Sequence, residues 1–179
     1  DNEKQPDDLS DPKWLAGCDA TSWNSQECND GEFDPDDGNG HGTHVAGIAL
    51  GTGDSRRVNQ GYAPGSYLVD VKVMTDSGGS AGGDEGPIIT GLQWVLQNVN
   101  TDWGNNDSSE GIDVMTMSFG SGSSPVGEND QGDDGNNSAA RLVNNCAEAG
   151  IIPIAAIGND GSNRVTSVGA ADSSITVGA

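Results

Sequence analysis

Only two histidines occur among the 179 residues, His41 and His44, and both lie in the run GNGHGTHVAG. A neutral imidazole can take a proton from a nucleophile and later return it to a leaving group. The spacing predicts a short helix over HGTHVAGIAL that opens on His41. There the partial positive charge of a helix N-terminus disfavours imidazolium and favours the base form. Gly40 and Gly42 leave that face open to a substrate backbone, while His44, one turn on, is expected to turn into packing. Two other short runs carry usable groups. MTMSFGSG ends a strand on Ser118, Phe119 and Gly120, whose free backbone N–H and C=O groups can pair with an extended peptide. AAIGNDG stops a buried strand at Gly158 and presents Asn159, whose carboxamide can donate to a developing oxyanion. Each alone also has an ordinary structural use as a helix opener, a strand end or a turn.

The elements that must position these groups alternate in type. SYLVDVKVM, GIDVMTMSFG, IIPIAAIG and SSITVGA read as strands. PIITGLQWVLQNV reads as a helix with Pro87 in its first turn, and NSAARLVNNCAEAG as a helix capped by Asn137 or Ser138 and closed by Gly150. Strands alternating with helices, and apolar on both faces, indicate an α/β fold with a mostly parallel sheet. In such sheets functional groups gather at the carboxyl ends of strands. Residues 1–40 are polar, acidic and rich in turn formers without a sustained period, so no element is predicted there. GSGSSPVGENDQGDDGNN is expected to be a surface loop, since strands continue on both sides of it.

Seven Lys and Arg stand against 28 Asp and Glu, for a formal charge of -21. That surface repels nucleic acid and anionic membranes, and argues against both as partners. It suits a high-salt medium and cation-binding loops equally well. No apolar run is long enough to span a bilayer. Cys18 and Cys28 share one predicted loop and can pair in an oxidising compartment, whereas Cys146 falls on the apolar face of its helix as a buried free thiol.

Taken in order, GNGHGTHVAGIAL, GYAPGSYLVDVKVM, IITGLQWV, IDVMTMSFG, IIPIAAIGNDG and SSITVGA resemble successive landmarks of the subtilisin-like serine proteases. The resemblance runs from about residue 35 to the end, with a further match at QPDDL. It implies a three-layer fold with helices on both faces of the sheet, and His41 as the catalytic base beside a structural His44. It implies Asn159 as the oxyanion donor, and Ser118, Phe119 and Gly120 as the segment that pairs with substrate and walls its pocket. Ala81, Gly82 and Gly83 fall near the segment expected to pair with substrate on the other side. Glu85 stands where the family often carries a large apolar side chain, which implies tolerance of basic substrate residues.

A triad also needs an aspartate to hold the histidine and a serine to attack. The family's Asp-Thr-Gly and Gly-Thr-Ser triplets do not occur in these residues. Asp1, Asp34, Asp36 and Asp37 lack the apolar strand that should precede the aspartate. The expectation is therefore a central portion of a peptidase domain, monomeric and secreted, acting on peptides or proteins. Its chemistry requires no cofactor, and the oxygens of the acidic stretch before His41 and of the Glu128–Asp134 loop suit structural calcium and a solvated acidic loop equally well. An EF-hand is excluded for DPDDGNGHGTHV, because its twelfth position is Val45. A zinc set of His41 and His44 with Cys18, Cys28 or a nearby aspartate lacks a cysteine pair at finger spacing. An esterase order needs a histidine after the nucleophile, and none follows His44. The remaining alternative is a protease-like binding or structural module without activity.

Overall fold

The structure is a computed structural model describing residues 13–21, 28, 35, 37–54, 56–76, 85–104, 111–120, 124–125, 135–159 and 164–178. The chain divides into two units, Asp1–Ala81 and Gly82–Ala179.

The first unit is built on a parallel pair, β1 (Trp14–Asp19) beside β2 (Leu68–Lys72), with Cys18 opposite Val71 and Asp19 opposite Lys72. β1 departs from the expectation that residues 1–40 hold no element. WLAGC mixes two large apolar residues with three small ones and shows no alternation. Strand formation there depends on the partner strand and on burial rather than on intrinsic preference. Ala16 and Cys18 are fully buried. Just before the strand, buried Lys13 donates through Nζ to the carbonyls of Pro64 (2.8 Å) and Ser66 (2.6 Å), tying the entry of β1 to the turn that precedes β2. Cys18 is bonded to Cys28 with 4.4 Å between their Cα atoms. Cys18 thus lies in a strand, not in the loop it was expected to share.

α1 (His41–Leu50) follows as predicted but buries none of its residues. It is held through its backbone ends. At its carboxyl end the carbonyls of Ile48, Ala49 and Gly51 accept from Tyr62, Ala63 and Gly61, which satisfies groups a helix terminus otherwise leaves open.

The second unit carries a parallel three-stranded sheet in the order β3 (Val114–Met117), β5 (Ile152–Ala156), β7 (Ile175–Val177). β4 (Ser124–Pro125) and β6 (Arg164–Val165) form a separate short antiparallel pair, which interrupts the segment expected to be loop throughout. α2 (Gly86–Gln97) has Pro87 in its first turn and buries Ile88, Leu92, Trp94 and Val95. α3 (Ser138–Glu148) is capped by Asn137, whose side chain accepts from the Ala140 N–H at 2.7 Å, and ends before Gly150 at φ 106°. The two helices pack together where Cys146 is buried beside the Leu92 carbonyl, and α3 also packs on β5. Met115, Met117 and Ala155 are buried, while Val114, Ile152, Ile175 and Val177 remain about half exposed.

Candidate active site

His41 is the first residue of α1, and its placement follows from the loop before it. Gly40, just ahead of the helix, adopts φ 87°, which favours glycine, and has no side chain to cap with. Asp37 supplies the acceptor instead. Its Oδ2 accepts from the Thr43 N–H (2.7 Å) and the Thr43 hydroxyl (2.8 Å), and its Oδ1 from the N–H groups of Gly40 (2.8 Å) and Asn39 (3.2 Å). Burial alone would raise the Asp37 carboxyl, but these four bonds outweigh it and hold it below its ordinary value. A second carboxylate reaches in from beyond β2. Asp76 Oδ1 accepts from the Gly38 N–H at 3.2 Å and pairs with Lys72 Nζ at 2.7 Å. A Cβ on Gly38 would lie 2.7 Å from Asp76 Cγ, so a larger residue there would push the Asp76 side chain aside.

Neither Asp37 nor Asp76 signalled this use in the sequence. Asp37 read only as a poorly placed triad aspartate or a calcium ligand and Asp76 as acidic background, and only the fold shows which carboxylates meet N–H groups. Asp37 is thereby occupied as a loop and helix cap rather than as a partner of the imidazole. Among the described residues no group hydrogen-bonds either imidazole ring, and both rings are exposed. His44 therefore departs from the expected packing role, because α1 has no buried face for it to enter.

In the second unit two of the expected segments leave adjacent strands at the same end. Met117 of β3 lies opposite Ala155 of β5 in parallel register, so Ser118–Gly120 and Ile157–Asn159 emerge side by side at the carboxyl edge of the sheet. Ser118 and Asn159 are exposed, while Phe119 and Gly120 are half-buried. Gly158 turns the chain with φ 114°. Thr166, 7% exposed, sits between the two segments. Its hydroxyl donates to the Ala156 carbonyl (2.7 Å) and accepts from the Gly169 N–H (3.1 Å), and its own N–H donates to the Ile157 carbonyl (3.1 Å). A Cβ on Gly120 would overlap Thr166, so the β3 exit can pass it only as glycine. Thr166 carried no motif that pointed to this position.

Ala81, Gly82 and Gly83, the QPDDL run, Asp1, Asp34, Asp36 and the Glu128–Asp134 loop lie outside the described residues. Glu85 precedes α2 and is half-buried. The cysteine contribution to a zinc set is overturned, since the sulfurs of Cys18 and Cys28 are bonded to each other. Among the described residues no three His, Cys, Asp or Glu side chains gather as a metal site. Asp37, the described member of the acidic stretch proposed for calcium, does not fit that role, because both its oxygens already accept from N–H and O–H donors.

The sequence profile of the Subtilase family matches residues 14–179. The chain belongs to the subtilase family. This subtilase is similar to the serine protease AprX of Bacillus subtilis (strain 168), at 36% identity over 149 residues covering 82% of this chain and 31% of that protein. It is also similar to subtilisin DY of Bacillus licheniformis, at 34% identity over 153 residues covering 83% of this chain and 46% of that protein. The subtilase chain thus spans less than half the length of these curated relatives. Among solved structures it resembles sphericase, with a TM-score of 0.54 at 26% identity over 74% of this chain and 37% of that one. The fold is shared with the epidermin leader peptide processing serine protease of Staphylococcus aureus, with a TM-score of 0.58 at 19% identity over 93% of this chain and 42% of that one. The α/β fold read from alternating strands and helices, and the subtilisin-like form that the resemblance implied, are therefore the fold of this subtilase chain.

Proposed function

We propose that the protein containing this chain is a serine endopeptidase, in which His41 takes the proton of the attacking serine and returns it to the leaving amine. The serine and the aspartate that orients His41 are, in this reading, carried outside these 179 residues. Ser118, Phe119 and Gly120 hold the substrate as an added strand, and Asn159 donates to the tetrahedral oxyanion. Ala81, Gly82 and Gly83 line the opposite side of the peptide. Membership of the subtilase family supports the reaction class. The observation that carries the residue roles is the parallel register of β3 and β5. It sends a strand end with free backbone groups and an exposed carboxamide out of one sheet edge as neighbours. A peptide pairing with the first has its reacting carbonyl within the reach of groups on the second.

Subtilases generally need no cofactor for catalysis. The Cys18–Cys28 bridge supports an oxidising, extracellular location, where such bonds persist. No described helix is long and apolar enough to cross a membrane. The acidic surface supports a monomer that binds neither nucleic acid nor membrane.

The test is expression of the complete reading frame that contains this chain, assayed on chromogenic peptides and with a serine-directed fluorophosphonate. Hydrolysis and covalent labelling are expected, both abolished by His41→Ala. In a subtilisin, loss of one oxyanion donor costs about 100- to 1000-fold in kcat, and a loss of that order is expected for Asn159→Ala. A folded full-length protein that neither hydrolyses nor labels would make this a protease-like binding module instead.

A further inference from the structure

We propose that the Asn39–Gly40 link is a site of spontaneous covalent change that disables His41, and that Asp37 holds this change in check. The chemistry of the link is independent of the roles proposed above, while its effect on turnover rests on His41 as the base. Of all the asparagines in the sequence, only Asn39 is followed by glycine. An asparagine carboxamide can be attacked by the backbone nitrogen of the next residue, and a glycine there has no side chain to obstruct the approach. The Gly40 nitrogen loses its proton and bonds to Asn39 Cγ. The carboxamide nitrogen takes up a proton and leaves as ammonia, which closes a succinimide ring. Water then opens the ring at either carbonyl. One opening leaves aspartate on a normal backbone. The other leaves isoaspartate, in which the main chain runs through the former side chain. Asn39 and Gly40 are both exposed, so water reaches the link. The space around Gly40 is open, with nothing within 4 Å of where a Cβ would stand.

What opposes the attack is a pair of hydrogen bonds. The Gly40 N–H donates to Asp37 Oδ1 at 2.8 Å, and the Asn39 N–H donates to the same oxygen at 3.2 Å. The attacking nitrogen must give up the proton it shares with that oxygen, and it must become negative beside a carboxylate. The two bonds also fix the peptide planes on both sides of Asn39, so the nitrogen cannot swing towards Cγ without breaking them. The neighbouring Asp37–Gly38 link is a poorer target, because the Asp37 carboxylate is ionised and already holds four donors. Conversion matters because Gly40 leads directly into α1 at His41. Isoaspartate lengthens the main chain by one carbon between the two N–H groups that Asp37 Oδ1 holds. Asp37 can then no longer keep both of them and the Thr43 pair together, and His41 loses its fixed place at the start of the helix. A misplacement of about 1 Å in a reacting group costs about 100-fold in rate.

The test ages the full-length protein at mildly alkaline pH, well below its melting temperature, with a reversible peptide aldehyde present against self-digestion and removed before assay. Peptide mapping by mass spectrometry follows the exchange of amide for acid at each asparagine, and isoaspartyl methyltransferase labels the isoaspartate. Exchange is expected at Asn39, with kcat falling in step with the isoaspartate fraction there. Asp37→Ala is expected to speed exchange at Asn39 by about tenfold and to leave the other asparagines unchanged, since a hydrogen bond to a charged acceptor is worth about that factor or more. Asn39→Ser, which has no carboxamide to attack, is expected to keep its starting kcat through the same ageing. Absence of exchange at Asn39 in both the wild type and Asp37→Ala would overturn the proposal. A rise at every asparagine in Asp37→Ala would mark a loosened fold and overturn the role of Asp37. If Asp37→Ala does not fold, Asp37→Ser, which keeps a capping oxygen without the charge, is read by the same criterion. Conversion with undiminished kcat, or an Asn39→Ser variant that decays as fast as wild type, would overturn the consequence for His41. A protein that hydrolyses nothing, or a fully active His41→Ala, would overturn the reading of His41 instead, and the Asn39 chemistry would stand or fall on the mass data alone.

Discussion

The Asp37 carboxylate accepts both the backbone N–H and the hydroxyl of Thr43, at 2.7 and 2.8 Å, and thereby closes the first turn of the helix that begins at His41. With the N–H groups of Asn39 and Gly40 bound to its other oxygen, one side chain shapes the whole approach to that histidine. Asp37→Ala is expected to destabilise the protein by about 1 kcal/mol, the usual cost of removing a helix-capping acceptor. Chemical denaturation of the two full-length proteins measures it, and equal stability would show that the cap is replaceable by water.

The same carboxylate makes a pH prediction with a definite sign. Its folded-state pKa lies below the ordinary carboxyl value of 3.8, so its stabilisation is present above that value and is lost as the pH falls through the lower folded pKa. The stability gap between wild type and Asp37→Ala should therefore be constant from neutral pH down to about 5 and close below 3.8. A gap that closes instead between pH 6 and 7 would assign it to another group.

Cys18 and Cys28 are ten positions apart, and their bond restricts a short loop in the unfolded chain. Replacing both by serine is expected to cost roughly 2–3 kcal/mol. Thermal melting under oxidising conditions, compared with wild type before and after reduction, reads that loss. Reduction of the wild type that leaves its melting unchanged would contradict it.

Cys146 is fully buried against α2, and desolvation pushes its thiol up to about 11. It should stay unalkylated by iodoacetamide at pH 8 in the native protein and react promptly in denaturant, as peptide mapping would show. Prompt labelling of the native protein at Cys146 would mean that α2 and α3 separate readily.

Glu85 leads into α2 beside the segment proposed to pair with substrate. Peptides that carry Lys at the corresponding distal subsite should turn over several-fold faster than those that carry Leu, with the advantage falling at high salt as exposed charges are screened. A clear preference for Leu would remove Glu85 from substrate selection.

Much of the fold was legible in advance because the relevant signals are local. α1, α2 and α3 announced themselves through apolar spacing, Pro87, Asn137 and Gly150. β2, β3, β5 and β7 did so through short apolar runs bounded by turn residues. β1 did not, because Trp14–Asp19 becomes a strand only by pairing with β2, some fifty residues later in the chain. The short pair β4 and β6 was hidden for the same reason.

The candidate site divides along that line as well. His41, Ser118, Phe119, Gly120 and Asn159 were determined as candidates by sequence alone, since residue type, glycine flanks and order along the chain are properties of the string. Which groups hold them was decided by tertiary structure. Asp37 and Asp76 are two among 28 acidic residues until the fold brings their oxygens to the N–H groups around Gly38 and Gly40. Thr166 is an ordinary threonine until parallel pairing sets the exits of β3 and β5 on either side of it. A hydrogen bond needs its partners within about 3 Å, and for groups far apart in the chain only the folded backbone supplies that distance.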